Sequence, residues 1–202
     1  MPEIIRGIDQ NTPEWMQLRL ASVGSTAINK IAPQGDPYKN LIYIFAGEYL
    51  TGTKAESTKF KYADRGHEFE PAAREEYKII KDVDVEQITM VKGDKPHTHT
   101  STDGIIKDDG IFEAKVRTPA EWLKLAEGKL PPIGDRRQCQ WDLYICSDRL
   151  YVDYVNYCPE LHKSGKEFIL IDRIMRDNKM ISELASISDK FLKEMLEKAA
   201  KH

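Results

Sequence analysis

The chain has few of the residues that mark secreted, membrane or zinc-binding proteins. Its 202 residues include three cysteines, whose spacing fits neither paired zinc ligands nor a disulfide framework. We therefore expect reduced thiols at Cys139, Cys146 and Cys158. No run approaches the roughly 18 apolar residues of a membrane span, and the N-terminus has no signal-peptide pattern. These absences predict a cytoplasmic protein with no membrane partner.

A strong excess of charge is also missing. The net charge is −3 at pH 7 and the sequence pI is near 6.0, which at first argues against a nucleic-acid partner. The distribution of charge matters more than its sum, however. Residues 115–137 hold six lysines or arginines against three aspartates or glutamates. This locally basic segment is compatible with a phosphate-bearing partner.

Length and element order predict the fold. A chain of this length supports one substantial core, and no repeat, low-complexity tract or linker divides it, so we expect a single domain over residues 1–202. Helices come first, then strands with one embedded helix pair, and then a closing helix. This order predicts an α/β (α+β) domain, in which helices flank a central mixed β-sheet.

Local signals set the expected boundaries. Thr12 should cap the first helix, and Ser25 should cap a short second helix. A capping box begins at Thr118. Pro71 fits only in the first turn of its helix, and residues 51–65 are a predicted loop. The other helices are expected over residues 38–50, 67–81, 135–146 and 176–200, and the strands over 84–92, 98–106, 111–117, 149–157 and 167–172.

The most informative stretch is residues 101–115, S-T-D-G-I-I-K-D-D-G-I-F-E-A-K, which predicts a β-hairpin. The Asp-Gly pair at 109–110 is expected to form the turn, because glycine tolerates the positive φ of tight turns. Alternation along the second strand places Glu113 and Lys115 on one face, roughly 7 Å apart, with Asp103 across the hairpin. Two carboxylates and one ammonium group indicate a divalent-metal site with a helper cation. Hydrolysis of a phosphodiester needs that set.

Glu-x-Lys alone is a weak pattern. The chain contains it three times, where about one occurrence is expected by chance in a chain of this length. Only the copy at 113–115 has apolar neighbours in alternation and an aspartate upstream across a hairpin. The metal-site hypothesis therefore concerns this copy.

Two other polar residues are candidates for the same site. Glu70 lies at the edge of the buried face of its helix, within reach of the sheet, although the helix dipole alone would favour an acid in a first turn. Gln138 and Gln140 lie about 200° apart on a helix, so at most one of them faces the site. Gln138 shares the packed face, where its amide needs partners from water, a phosphate or the core.

A phosphate pocket is predicted near the start of the second helix. Arg19 offers a bidentate fork, and the hydroxyls of Ser25 and Thr26 add donors beside the N–H groups of a helix N-terminus. Ser101, two residues before Asp103, would add a hydroxyl from the hairpin. The alternative is that Ser25 is only a cap and that Arg19 pairs with Glu14 or Asp36.

Taken in order, these segments resemble the phage lambda exonuclease family, the viral-recombinase branch of the PD-(D/E)xK nuclease superfamily. The resemblance runs from Trp15 to Pro159, and it rests on the segments W-M-Q-L-R-L with S-V-G-S-T, R-G-H-E-F-E-P-A-A-R, S-T-D-G, F-E-A-K, Q-C-Q-W and Y-V-N-Y-C-P. It implies a restriction-endonuclease-like core and a Mg²⁺-dependent 5′-to-3′ exonuclease, for which Mn²⁺ is expected to substitute. Such an enzyme degrades one strand of linear duplex DNA and leaves a 3′ overhang for phage-type homologous recombination.

The same resemblance implies partners and residue roles. The partners would be 5′-phosphorylated ends of double-stranded DNA, a single-strand annealing protein and further copies of the chain in a homotrimer. The implied metal ligands are Asp103, Glu113, Glu70 and the carbonyl of Ala114. Lys115 would orient or deprotonate the attacking water, and Gln138 would help to position it. The implied pocket for the terminal 5′-phosphate consists of Arg19, Thr26 or Ser25, and Ser101.

The chain departs from the family pattern at a few positions. Thr102 replaces a proline, and Asp135 replaces an aromatic residue before the glutamine motif. The G-S-T segment leaves open which hydroxyl binds phosphate. Two alternatives also stay open: a PD-(D/E)xK endonuclease that cuts internally, and a non-catalytic DNA-binding subunit with the same fold.

Overall fold

The computed structural model describes residues 2–10, 12–55, 61–107, 109–128 and 130–202, without the side chains of residues 61–64. Its helices are α1 (Pro13–Leu18), α2 (Ser25–Ile31), α3 (Asp36–Thr51), α4 (Lys61–Lys81), α5 (Pro119–Ala126), α6 (Ile133–Ile145), α7 (Pro159–Lys163) and α8 (Asn178–Ala199). Its strands are β1 (Glu3–Ile5), β2 (Val85–Glu86), β3 (Met90–Lys92), β4 (His99–Thr100), β5 (Gly104–Ile106), β6 (Gly110–Val116), β7 (Tyr151–Tyr157) and β8 (Ile169–Met175). Within the described ranges, no helix combines the length and apolarity needed to cross a bilayer.

The described strands form two sheets. The larger sheet has the order β2-β5-β6-β7-β8, and the smaller one has the order β1-β3-β4. In the larger sheet β6 and β7 run parallel, whereas the other neighbours are antiparallel. The predicted central mixed sheet is therefore confirmed.

Helices cover both faces of the larger sheet. On one face Trp141 of α6 is buried in a cluster with Ile111 and Val152, to which α2, α3 and α8 also contribute. On the other face Tyr77 of α4 packs against Phe112, with ring centroids 5.1 Å apart. Ile111 and Phe112 are consecutive residues of β6, so this strand sends alternate side chains into the two layers, as its pattern predicts.

Helix starts follow the predicted caps with one exception. Thr12 accepts a hydrogen bond from the first turn of α1, and Thr118 begins a complete capping box at α5. At α2, however, Gly24 is the N-cap and Ser25 is the first helical residue. The prediction that Ser25 caps α2 is wrong because its hydroxyl donates to Asp142 of α6, at 2.7 Å.

Helix α4 begins earlier than predicted. It starts at Lys61, so Pro71 lies inside the helix and not in its first turn, which corrects that prediction. A proline nitrogen carries no hydrogen, so the helix loses one backbone bond at this point. Burial of Tyr77 against β6 on the following turns holds the helix together beyond the proline. Residues 56–60 of the predicted loop lie outside the described residues.

Asp103 lies where the chain passes from one sheet to the other. The predicted strand over 98–106 is divided in the structure: β4 belongs to the smaller sheet and β5 to the larger one. Asp103 immediately precedes β5 and stands outside both strands. The predicted strand over 84–92 is divided between the two sheets in the same way. The crossing places a carboxylate beside β6 without making it part of a ladder.

The hairpin exists, and its turn ends one residue earlier than predicted. Ile106 pairs with Gly110, so Gly110 is the first residue of β6, and the positive φ of 44° falls on Lys107. Asp109 is therefore a turn residue as predicted, whereas the prediction that Gly110 forms part of the turn is wrong. Gly110 is needed for space, because a Cβ at this position would lie 2.7 Å from the ring of Tyr151.

Candidate active site

Asp103, Glu113 and Lys115 meet beside β6. Glu113 and Lys115 project from the same face of the strand, and Lys115 Nζ donates to Glu113 Oε1 at 2.8 Å. Asp103 Oδ2 accepts the backbone N–H of Ala114, which lies between them, at 2.8 Å. The fold thus brings together the three side chains selected from the sequence, and their catalytic roles stay a prediction.

Gln138 completes this cluster from α6. Its Nε2 donates to Glu113 Oε1, and its Oε1 accepts from Lys115 Nζ at 3.0 Å. Gln140 points elsewhere: its Nε2 donates to the carbonyl of Met175 at 2.9 Å. One glutamine faces the site and the other does not, as the helical spacing predicted.

The electrostatics of the cluster are dominated by burial. Burial raises the pKa of Glu113 to about 7, the charge of Asp103 adds to this, and Lys115 offsets only part of it. Burial and the charge of Glu70 likewise raise the pKa of Asp103 to about 7. For Lys115 burial works the other way, but the two carboxylates outweigh it and raise the pKa of the ammonium group. The site therefore keeps Lys115 charged, and this positive charge only partly offsets the effect of burial on the two carboxylates.

Glu70 lies in the field of this cluster but is paired with another residue. Its carboxylate forms an ion pair with Arg74, one turn further along α4. Burial raises the pKa of Glu70, Arg74 opposes this, and the charge of Glu113 raises it further. Because α4 starts at Lys61, Glu70 is no first-turn acid, and the helix-dipole explanation is wrong. Its role as a metal ligand stays a prediction.

The residues fit a divalent cation through oxygen donors. Among the described residues, no group of three or more His, Cys, Asp or Glu side chains is arranged to hold a metal ion. Two carboxylates and one carbonyl are nevertheless available. Glu113 Oε2 is buried and has no hydrogen-bond partner in the described part of the chain. The N–H and C=O of one strand residue point the same way, so the carbonyl of Ala114 faces the side of Asp103, beyond the end of β5.

The nature of these donors selects the ion. Carboxylate and carbonyl oxygens suit Mg²⁺ and Mn²⁺. The neighbouring thiol of Cys139 does not compete, because burial raises its pKa and keeps it protonated. An oxygen-only metal site built from Asp103, Glu113 and Ala114 stays a prediction that the chemistry of these donors fits.

The predicted phosphate pocket is assembled in part. The guanidinium of Arg19 stacks over the ring of Trp15 at 4.0 Å, and burial lowers its pKa to about 10. No carboxylate of the described residues lies within ion-pair distance of it, so the predicted alternative of a nearby acid is wrong. Ser101 Oγ is buried and has no partner among the same residues. Ser25 is engaged with Asp142, whereas Thr26 is exposed on α2.

A backbone connection joins this pocket to the carboxylates. Val23 N donates to the carbonyl of His97 at 2.8 Å, and His99 N donates to the carbonyl of Val23 at 3.1 Å. The chain that follows His99 continues through Ser101 to Asp103. The segment after Arg19 is therefore tied to the strand that leads into the site.

Sequence reasoning missed a polar cluster at the start of α6. Asp135 was noted only as a departure from the family pattern. In the structure its Oδ2 accepts from Arg117 Nη2 and from Tyr154 Oη, both at 2.5 Å. The available signal was the continued alternation of polar residues along β6 at Glu113, Lys115 and Arg117.

A mixed sheet with flanking helices that carries Asp, Glu-x-Lys and a helix glutamine at one point defines a PD-(D/E)xK-type nuclease fold. The chain belongs to the YqaJ-like viral recombinase family, whose domain model matches residues 14–148. This confirms the family resemblance found in the sequence.

Solved structures agree with this fold. An alkaline exonuclease (LHK-Exo) from Laribacter hongkongensis has a TM-score of 0.85 and 24% identity over 94% of this chain and 95% of that chain. A second LHK-Exo structure gives a TM-score of 0.84 and 25% identity over the same shares. A phage related exonuclease from Haemophilus somnus 129PT gives 0.65 and 15%, over 89% of this chain and 96% of that chain. No curated protein sequence matches the chain.

Proposed function

We propose that the protein is a divalent-metal-dependent 5′-to-3′ exonuclease that degrades one strand of linear double-stranded DNA and leaves a 3′ overhang for homologous recombination. The observation that carries the proposal is the cluster of Asp103, Glu113, Lys115 and Gln138, in which a buried carboxylate oxygen of Glu113 has no partner among the described residues. Family membership supplies the DNA substrate and the recombination context.

Each residue of the cluster has a distinct task in this proposal. Asp103, Glu113 and the carbonyl of Ala114 would hold Mg²⁺, or Mn²⁺ in its place. When bound, such ions lower the pKa of an attacking water and neutralise the leaving oxygen. Lys115 stays charged, which makes it an electrostatic clamp for the phosphodiester and a poor general base. The amide of Gln138 holds Glu113 and Lys115 in place and offers its remaining hydrogen-bonding capacity to the water.

The polarity of the proposed reaction depends on Arg19. A half-buried guanidinium with no carboxylate partner among the described residues suits a terminal 5′-phosphate, and the buried hydroxyl of Ser101 would add a donor. Because Ser25 donates to Asp142, we assign the second hydroxyl of the pocket to Thr26. LHK-Exo is described in complex with dAMP, a nucleoside monophosphate of the kind that an exonuclease releases.

Linear duplex labelled at either end, with or without a 5′-phosphate, tests this proposal in Mg²⁺ or EDTA. We expect loss of the 5′ label first, faster from phosphorylated ends, no reaction in EDTA and no cleavage of closed circles. Lys115→Ala and Asp103→Ala should abolish cleavage and retain binding to DNA ends. Lys193→Ala, at an exposed lysine of α8, is the matched control and should remain active.

Other outcomes would select the alternatives. Cleavage of closed circles would favour an endonuclease, and binding to ends without any cleavage in Mg²⁺ or Mn²⁺ would favour a non-catalytic subunit. Mg²⁺-dependent degradation by Lys115→Ala would defeat the assignment of that residue. The annealing partner and the homotrimer belong to the same proposal, and sedimentation with and without DNA would test the trimer.

A further inference from the structure

Helix α6 starts without a side-chain cap. Its N-cap is Pro132, which follows another proline and makes no capping hydrogen bond. Pro132 has no hydroxyl or carboxylate with which to bind the free N–H groups of the first turn. Asp135 is the acidic residue of that turn. Its side chain points to the sheet, where it makes the contacts that fix the helix start.

Asp135 joins α6 to both parallel strands. Arg117 follows the last residue of β6, and its Nη2 donates to Asp135 Oδ2 at 2.5 Å, while its Nε donates to Asn156 Oδ1 at 2.9 Å. Tyr154 of β7 donates its hydroxyl to the same Asp135 oxygen at 2.5 Å. Tyr154 is fully buried, and the side chains of Arg117 and Asp135 are 16% and 19% exposed. We name Arg117, Asp135 and Tyr154 the α6 clamp.

The α6 clamp and the proposed active site share one register. Tyr154 is the β7 partner of Glu113, and Asn156 is the partner of Lys115. Arg117 continues the polar face of Glu113 and Lys115 along β6. The clamp therefore adjoins the proposed active site on the same two strands, with Tyr154 level with Glu113 and Arg117 two residues beyond Lys115.

Gln138 lies one helical turn beyond Asp135, and its amide has little freedom. It must present Nε2 to Glu113 and Oε1 to Lys115 at the same time. A small rotation or translation of α6 would break one of these contacts. A misplacement of about 1 Å can cost about a hundredfold in rate.

We propose that Asp135 is a positioning residue, which acts with Arg117 and Tyr154 to set the place of the Gln138 amide between Glu113 and Lys115. The proposal rests on the proposed nuclease function and deepens it. If the α6 clamp served stability alone, its loss would leave the place of the Gln138 amide and the kcat of the folded protein unchanged. Both quantities can be measured.

Steady-state kinetics on 5′-phosphorylated linear duplex with Mg²⁺ provide the first test. Asp135→Asn keeps the shape of the side chain, and we expect kcat to fall about tenfold or more with KM for DNA ends unchanged. Asp177→Asn is the matched control, because it makes the same change at the N-cap of α8, where asparagine caps as well as aspartate, and it keeps the backbone bond from Asp177 to Gln140. Its kcat should not change. Tyr154→Phe removes one of the two contacts of Asp135, so kcat should fall, but by less than in Asp135→Asn. This second variant is used if Asp135→Asn folds poorly.

A double-mutant cycle separates positioning from stability. If Asp135 acts through Gln138, then Asp135→Asn adds no further loss of kcat to Gln138→Ala. Losses that multiply in the double variant, or an unchanged kcat in Asp135→Asn, would overturn the proposal.

An NMR measurement needs no nuclease activity. The side-chain amide signal of Gln138 is identified by its absence from the ¹⁵N spectrum of Gln138→Ala. It should move in Asp135→Asn and stay in place in Asp177→Asn, whereas an unmoved signal in Asp135→Asn would overturn the positioning role. An inactive wild-type protein would defeat the proposed function alone, because the NMR result would still decide whether Asp135 positions Gln138.

Discussion

Asp142 is a buried carboxylate that forms no ion pair within the described part of the chain, and its replacement by asparagine should stabilise the protein at alkaline pH. It is 1% exposed and accepts from the hydroxyls of Ser25 and Thr100, while its second oxygen has no partner among the described residues. Burial, helped by the charge of Glu113, raises its pKa to about 7 from an ordinary 3.8. The hydrogen bonds from the two hydroxyls do not compensate for the hydration that the ionised carboxylate loses on burial.

The magnitude follows from linkage. An acid whose pKa is raised on folding destabilises the native state above its unfolded pKa, and the penalty grows until the pH exceeds the folded pKa. Each pKa unit corresponds to about 1.4 kcal/mol. With the two pKa values above, the penalty is about 2 kcal/mol at pH 5 and about 4 kcal/mol at pH 8. Asp142→Asn removes this penalty. The free energy of unfolding of the variant minus that of the wild type should therefore be about 2–3 kcal/mol larger at pH 8 than at pH 5.

Urea unfolding of the variant and the wild type, in EDTA at pH 5 and at pH 8, measures this difference. The contributions of the other titrating groups are common to both proteins and cancel in the subtraction. Asp153→Asn is the matched control: Asp153 is equally buried, but it accepts from Tyr77 at 2.6 Å and from Arg173 at 2.8 Å. Its replacement should lower stability at pH 8, because asparagine keeps only one of the two accepting oxygens and lacks the charge that pairs with Arg173. A difference between Asp142→Asn and wild type that stays constant or shrinks as pH rises would refute the reasoning.

Further predictions concern glycines, a cap and the proposed pocket. Gly24→Ala should cost about 1–3 kcal/mol in thermal unfolding, because its Cβ would lie 2.4 Å from His99 Nε2; an unchanged Tm would contradict the close contact. Gly47→Ala in α3, with nothing within 4 Å of the added Cβ, should instead gain about 0.5–1 kcal/mol. Thr118→Ala should lose about 1 kcal/mol in urea unfolding, and a neutral result would mean that the cap is redundant. Arg19→Lys should reduce the ratio of cleavage rates on 5′-phosphorylated and 5′-hydroxyl ends, whereas an unchanged ratio would remove Arg19 from the pocket.

Local periodicity accounts for the parts of the site that could be predicted. Alternation along β6 placed Glu113 and Lys115 on one face, and the helical angle between Gln138 and Gln140 allowed one of them at most to face the site. Both features depend on residues within a few positions of each other. The caps at the starts of α1 and α5 are local in the same sense, and they also held.

The features that could not be predicted depend on contacts between distant parts of the chain. Ser25 leaves its cap position for Asp142, which is 117 residues away. Glu70 is paired with Arg74 inside α4. The polar composition of residues 51–65 predicts a loop, and so it does not reveal that this helix starts at Lys61. The predicted strand over 98–106 is divided near Asp103, and this division likewise depends on which partner strands are available. The sequence pattern is the same for one continuous strand and for two strands in different sheets.

The central claim is that Asp103, Glu113 and the carbonyl of Ala114 hold the divalent ion of a nuclease next to Lys115. Anomalous diffraction from crystals soaked in Mn²⁺ tests it most directly. The account predicts an anomalous peak in contact with both carboxylates and its loss in Asp103→Ala. Soaked crystals in which this position shows no peak, while Lys115 and Gln138 keep their contacts with Glu113, would contradict it.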